Sequence, residues 1–175
     1  MRALASLLCS LAFVLAAPLS YEVRLGADPA PQLAGKLVGT YSQAVRAFGK
    51  PDAVLPGTLI RPTCNASWRR YGLGIQFLTV QAGACAPNKL RSWWQATAGA
   101  RRWHTQAGLH VGDTEGRLHS LYPNARRLDF LAQGLLWELE TGGLLCDGGP
   151  TLALAGQIRS GRVAALTVVH VPACG

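Results

Sequence analysis

The chain has 175 residues, of which 49% are hydrophobic and only 15% charged, a balance that suits a buried core and excludes a disordered polyelectrolyte. Its formal net charge of +8 favours anionic partners such as acidic polymers, lipid headgroups or an acidic protein face. Nothing in the chain has the form of a phosphate-cradling loop, because Gly142-Gly143 and Gly148-Gly149-Pro150 lack a following helix and lysine and read as turns.

The first stretch reads as an export signal. Met1-Arg2 is a short positive end, and residues 3–17 are uncharged and mostly apolar. That run is shorter than the ~20 residues that cross a bilayer. Pro18 interrupts it, and cleavage near Ala16 or Ala17 is expected, leaving no transmembrane segment. A lipid-anchored form would need a small residue before Cys9, where Leu8 stands. Residues 1–17 are therefore assigned to a signal peptide and secretion or a periplasmic location is expected. Residues 18–34, with two prolines after Tyr21 and little periodicity, read as a linker or extended lead-in.

From residue 35 the chain organises itself twice. Gly35-Lys36-Leu37-Val38-Gly39 introduces Thr40, and Thr40 with Gln43 has the spacing of a capping box. Tyr41, Ala44, Val45 and Phe48 follow one helical face, and Gly49 and Pro51 close the helix. Residues 56–62 read as a loop. Strands are expected at 67–71 and 73–80, joined around Gly72; in the second, Leu73, Ile75 and Phe77 alternate with Gly74 and Gln76. Residues 90–97 suggest a third strand containing Trp93-Trp94.

A second unit begins after Ala98-Gly99-Ala100. Gly108 to Pro123 repeats the glycine opening, short amphipathic helix and late stop of Gly35 to Pro51. Asp113 is the expected N-cap, with Leu118, Leu121 and Tyr122 as the buried stripe. Strands are expected at 135–140, 152–158 and 163–171, the last two joined by a turn at residues 159–162. The expected class is α+β: two tandem repeats, residues 35–100 and 101–175, each a short helix followed by an antiparallel β-meander, packed as one body.

Cys9 leaves with the signal, and Cys64, Cys85, Cys146 and Cys174 remain, an even number that suits an oxidising compartment. Three pairings are possible. Cys64–Cys85 with Cys146–Cys174 is preferred because each bridge then stays inside one repeat. A zinc site would need close ligand pairs, and no cysteine here has a cysteine or histidine neighbour at such spacing, so no metal and no cofactor is expected.

The helix opened by a glycine-rich turn and trailed by a sheet resembles the small lipoproteins of outer-membrane assembly, although their lipid-attachment motif is absent. In tandem, with Val38-Gly39-Thr40 to Pro51, Val111-Gly112-Asp113 to Pro123 and a cysteine pair after each helix, it is more similar to the β-lactamase-inhibitor-protein fold. That resemblance spans residues 35–175 and implies a binding scaffold that presents an aromatic-rich sheet to a partner protein. It supplies no contact residues.

Three sets of side chains stand out for chemistry. Arg91, Trp93, Trp94, Arg101, Arg102 and Trp103 form an aromatic and basic cluster, the residue types that dominate protein-binding hot spots and that stack on sugars or acidic polymers. Its bland reading is that two tryptophans are core and Arg101-Arg102 a solvated linker. Glu138 and Glu140, two apart on one strand, point to one face and could act as paired carboxylates in a hydrolase; the bland reading is a solvated strand face. His110 and His119 flank Asp113 and Glu115 around the second helix, where capping accounts for the acids. Asn65-Ala66-Ser67 also fits a glycosylation sequon. The expected function is an exported, non-catalytic binding module, inhibitor-like or envelope-associated, whose partner is a protein or an anionic envelope polymer and not nucleic acid. A small extracellular hydrolase acting on envelope polymer is the alternative.

Overall fold

The computed structural model describes residues 19–25, 31–57, 62–79, 85–128, 135–141 and 151–171. The architecture is α+β, with two helices and mostly sheet. A four-stranded sheet contains β1 (Tyr21–Arg24), β2 (Gln32–Leu33), β3 (Lys36–Leu37) and β8 (Trp103–Thr105), in the order β3-β2-β1-β8. An eight-stranded sheet contains β4 (Ala53–Pro56), β5 (Thr63–Trp68), β6 (Leu73–Thr79), β7 (Leu90–Ala98), β9 (Arg126–Leu128), β10 (Leu135–Thr141), β11 (Thr151–Arg159) and β12 (Arg162–Val171). Its order is β4-β5-β6-β7-β12-β11-β10-β9. The last strand of the first half thus meets the last strand of the second: β12 lies antiparallel to β7, with Leu166 opposite Ala98 and Val169 opposite Gln95.

Helix α1 (Tyr41–Phe48) forms as its caps dictate. The Thr40 side chain accepts from the Gln43 N–H, and the Gln43 Oε1 accepts in return from the N–H groups of Thr40 and Gly39. Ala44 and Phe48 are its buried residues. Helix α2 (Glu115–Leu121) starts one residue later than expected. Thr114, not Asp113, is its N-cap and accepts from the Arg117 N–H, while the Asp113 carboxylate accepts from the His110 N–H and closes the preceding turn. The opening of α2 is stitched to the β11–β12 turn by Glu115 N–H to Gly161 O and Gly112 N–H to Val163 O. In that turn Ser160 and Gly161 both have positive φ, 52° and 70°, the geometry of a two-residue hairpin whose twist matches its strands.

Several strand boundaries differ from the sequence reading. Within residues 18–34, expected as a linker or extended lead-in, β1 and β2 are extended strands, and Val23 and Leu33 are buried. The strand expected over 67–71 runs from Thr63 to Trp68, and Arg69–Tyr71 form a 3-10 turn. Gly72 ends that turn with φ +59°, and an added Cβ there would lie 2.6 Å from the Ala100 Cβ, so only glycine lets the two connections pass this closely. Pro56, expected to open a loop over 56–62, is the last residue of β4 and stands opposite Cys64 of β5. One disulfide, Cys64–Cys85, ties β5 to the segment before β7. Cys146 and Cys174 lie outside the described residues, as does the signal peptide expected over residues 1–17.

The main core lies between the large sheet, the helices and the small sheet. It contains Trp68, Ile75, Phe77, Ala96, Leu154, Leu166 and Val168 from the large sheet, with Phe48, Leu118 and Tyr122 on or beside the helices and Val23 and Trp103 from the small sheet. Residues of both halves therefore share one cluster. A smaller cluster of Leu128, Leu136, Ala153, Ala155 and Val169 occupies the other face of the β9–β12 portion. This explains why β11 and β12 read as nearly continuous apolar runs: both of their faces are covered.

Candidate functional site

The expected aromatic and basic cluster is divided along the chain between β7, the turn after it and β8. Trp103 is fully buried, and its indole N–H donates to the Tyr71 carbonyl at 2.6 Å, so it is core and presents no contact surface. Arg91, Trp93 and Trp94 belong to the first half of β7, where Trp93 stands opposite Phe77. Arg101 and Arg102 are exposed in the turn after that strand. From Trp93 to Ala98 the strand alone covers roughly 16 Å at ~3.3 Å per residue, which separates the two groups.

Arg102 instead belongs to a different constellation. Its guanidinium lies 5.6 Å from the centre of the Tyr21 ring and donates to the Arg70 carbonyl at 2.9 Å. The Arg70 guanidinium lies 5.5 Å from the centre of the Tyr71 ring. Tyr21 and Tyr71 are themselves in contact, with centroids 5.5 Å apart. Tyr21 continues to Trp103 at 5.0 Å, and Tyr71 continues to Phe48 at 5.1 Å. Two arginines are thus stacked on two touching tyrosines, which are braced from behind by buried aromatics. Stacking holds a guanidinium plane in place while leaving its edge N–H groups available to an anion.

Beside this stack runs a groove of about 630 Å3. The small sheet forms one wall through Tyr21, Glu22, Arg24 and Lys36, and the end of α1 with Arg70 and Tyr71 forms the other. Lys36 donates through Nζ to the Ala47 carbonyl at 2.9 Å, which places its ammonium at the C-terminal end of α1, where the helix dipole favours a cation. Arg24 is ion-paired with Glu22, the one carboxylate of the lining. Arg24, Lys36 and Arg70 against a single acid make the groove electropositive. A smaller hollow next to it, lined by Lys36, Gln43 and Arg46, extends the basic strip along α1.

Tyr21, Arg24, Lys36, Arg70 and Tyr71 were not among the residues singled out from the sequence. A signal was available. Arg69-Arg70-Tyr71 and Arg101-Arg102-Trp103 each place a basic pair before an aromatic residue at the end of a strand, and the fold brings those two ends together.

The paired carboxylates of β10 do not form. A bulge between Glu138 and Glu140 shifts the register: Glu138 stands opposite Ala155, on the face of the smaller cluster, and Glu140 opposite Leu154, on the face of the main core. Glu138 accepts from Arg126 at 2.9 Å and from the Thr141 hydroxyl. Glu140 is hydrogen-bonded at 3.2 Å to the Tyr122 hydroxyl, which also lies 2.7 Å from Thr105 Oγ1. Burial pushes the Tyr122 phenol up to about 12, and the neighbouring Glu140 charge adds to the effect. Around α2, Glu115 accepts from the Trp137 indole N–H at 2.9 Å and lies 4.0 Å from His119, which packs edge-on against Trp137. His110 is not with His119; it stands opposite His104.

Among the described residues there is no group of three or more histidine, cysteine, aspartate and glutamate side chains gathered to hold a metal ion, and no helix long and apolar enough to cross a membrane.

No protein-family model matches the chain, and no curated protein matches it. Among solved structures it is similar to an extracellular protein containing a SCP domain from Bacillus anthracis str. Ames, at 8% identity and a TM-score of 0.44. The match covers 75% of this chain and 43% of that one, so the chain spans less than half the length of that structure. A likeness of this degree says nothing about what the chain does.

Proposed function

We propose that the chain is an exported, non-catalytic binding module that uses the basic aromatic groove to hold an anionic partner. The observation that carries this reading is the Arg102–Tyr21–Tyr71–Arg70 stack at the edge of an electropositive groove. Arginines already immobilised on aromatic faces lose less conformational freedom when they grip a carboxylate or phosphate than free surface arginines do. The partner is an acidic polymer of the cell envelope or an acidic protein face. Export agrees with the apolar N-terminal run and with the Cys64–Cys85 bridge, a bond that persists in oxidising compartments. Two tandem copies of a helix-plus-meander unit, as in the β-lactamase-inhibitor-protein fold, would account for four strands of the large sheet after each helix and for that sheet being joined at its middle by β7 and β12.

The test is titration of the purified protein with poly-glutamate and with a phosphodiester envelope polymer at two salt concentrations. Binding should weaken with salt, because exposed charges are screened. Arg70→Ala with Arg102→Ala should weaken it by about tenfold or more, since a hydrogen bond to a charged group contributes ~1.5–3 kcal/mol. Equal affinity of the double variant and the wild type for both polymers would remove the groove from the reading.

A further inference from the structure

We infer that His104 and His110 form a surface site for a borderline divalent transition ion such as Zn2+, at the rim of the basic groove that His104 also lines. The two residues stand directly opposite one another across an antiparallel bridge, although five residues separate them in the chain. The flanking bonds run from Val111 N–H to Trp103 O at 3.0 Å and from Thr105 N–H to Leu109 O at 2.9 Å. Those bonds bracket the pair without joining it, which makes His104 and His110 a non-hydrogen-bonded pair. Side chains approach each other most closely at such positions, where Cα atoms are about 4.5 Å apart.

The rings are oriented alike. Their centroids are 5.1 Å apart and their planes differ by 33°. His104 Nδ1 lies 2.9 Å from the Thr105 carbonyl. A carbonyl can only accept, so Nδ1 carries the proton, and in the neutral ring Nε2 is the nitrogen with the lone pair. Metal-ligating histidines are held in this way: the far ring N–H donates to a backbone carbonyl or carboxylate, which fixes the tautomer and aims the other nitrogen. His110 is exposed, with its ring beside that of His104. The backbone beneath it is fixed by the Asp113 carboxylate, which accepts from the His110 N–H at 2.8 Å.

Two imidazoles at this spacing select borderline ions over calcium or magnesium, which prefer oxygen donors. Glu22 stands next to His104 in the parallel register of β1 and β8, but its carboxylate is engaged by Arg24. The protein ligands are therefore the two imidazoles, with water completing the tetrahedral set.

Calorimetric titration of untagged, full-length protein with Zn2+ in chelator-free buffer tests the site, with histidine Hε1 resonances followed by NMR in parallel. One equivalent should bind, and the His104 and His110 resonances should move together at substoichiometric zinc. His104→Gln and His110→Gln should each lose more than the roughly 10- to 100-fold that removal of an outer-shell partner costs. His119→Gln, at the histidine paired with Glu115 on α2, should leave the titration unchanged, and calcium should not compete. Because His110 is exposed, its variant keeps the fold, which circular dichroism verifies. The inference is overturned if wild type takes up no zinc, if His110→Gln binds as wild type does, or if His119→Gln loses as much.

Discussion

Gly156 on β11 faces Leu118, the central buried residue of α2, and the contact offers a direct measure of how tightly that helix is seated. An added Cβ at Gly156 would lie 2.9 Å from Leu118 Cδ1, with Leu139 Cδ1 and Cδ2 at 3.8 and 3.9 Å. A carbon–carbon contact settles at about 3.5–4.0 Å, so the methyl group would intrude by roughly half an ångström or more. Leu118 is 0% exposed and has no solvent side to which it can retreat. Overpacking of this kind costs about 1–3 kcal/mol, against which the smaller unfolded-state entropy of alanine returns about 0.4–1 kcal/mol. Gly156→Ala should therefore destabilise by about 1–2 kcal/mol. Leu118→Ala alone should cost ~2–5 kcal/mol through its cavity. In the double variant the new methyl group enters that cavity, so Gly156→Ala should become neutral or stabilising, a coupling of about 1–2 kcal/mol. Urea unfolding followed by tryptophan fluorescence would read all four proteins, with unchanged slopes reporting a change in stability alone. If Gly156→Ala costs the same in both backgrounds, or stabilises the wild type, the helix is not seated on β11 as described.

Three further outcomes are expected. Cys64 and Cys85 close a loop of sequence separation 21, and replacing both with serine, or reducing them, should lower stability by about 3 kcal/mol in the chain-entropy account; denaturant curves with and without reductant measure it. Thr40→Ala and Thr114→Ala should each cost about 1 kcal/mol in the same assay, and Gln43→Ala should add to the first loss because it leaves the Thr40 and Gly39 N–H groups without their shared acceptor. Burial raises the folded Tyr122 phenol from 10.0 to about 12, so the folded state keeps its proton longer than the unfolded chain. The associated stabilisation is complete below about pH 10 and is lost as pH rises toward 12; absorbance at alkaline pH should show a tyrosine ionising near 12 that is lost in Tyr122→Phe.

The helices were legible before any coordinates because capping is a matter of neighbours. Thr40 and Gln43 satisfy N–H groups within four residues of themselves, and Gly49 ends the helix by its own backbone freedom. The one-residue error at α2 has a related cause. Asp113 and Thr114 are both good caps, and the choice between them was made by the β11–β12 turn, which takes the Glu115 N–H and bridges Thr114 to Arg162. The period-two alternation of Leu73, Ile75 and Phe77 likewise identified β6 and its buried face. That rule failed at Glu138 and Glu140, where a bulge inserts one residue and turns the second acid to the other face.

By itself, then, the sequence determined that two short capped helices form, the start of α1, the alternation of β6 and where the Ser160-Gly161 turn falls. These depend on interactions within a few residues and on φ values that only certain residues adopt. Tertiary structure alone decided that β7 pairs with β12, that Tyr21 lies against Trp103, that Trp103 is core, and that Arg102 reaches the Arg70 carbonyl. An apolar or basic side chain carries no address for its distant partner. The partner is selected when two sheets and two helices must bury their faces against one another at once.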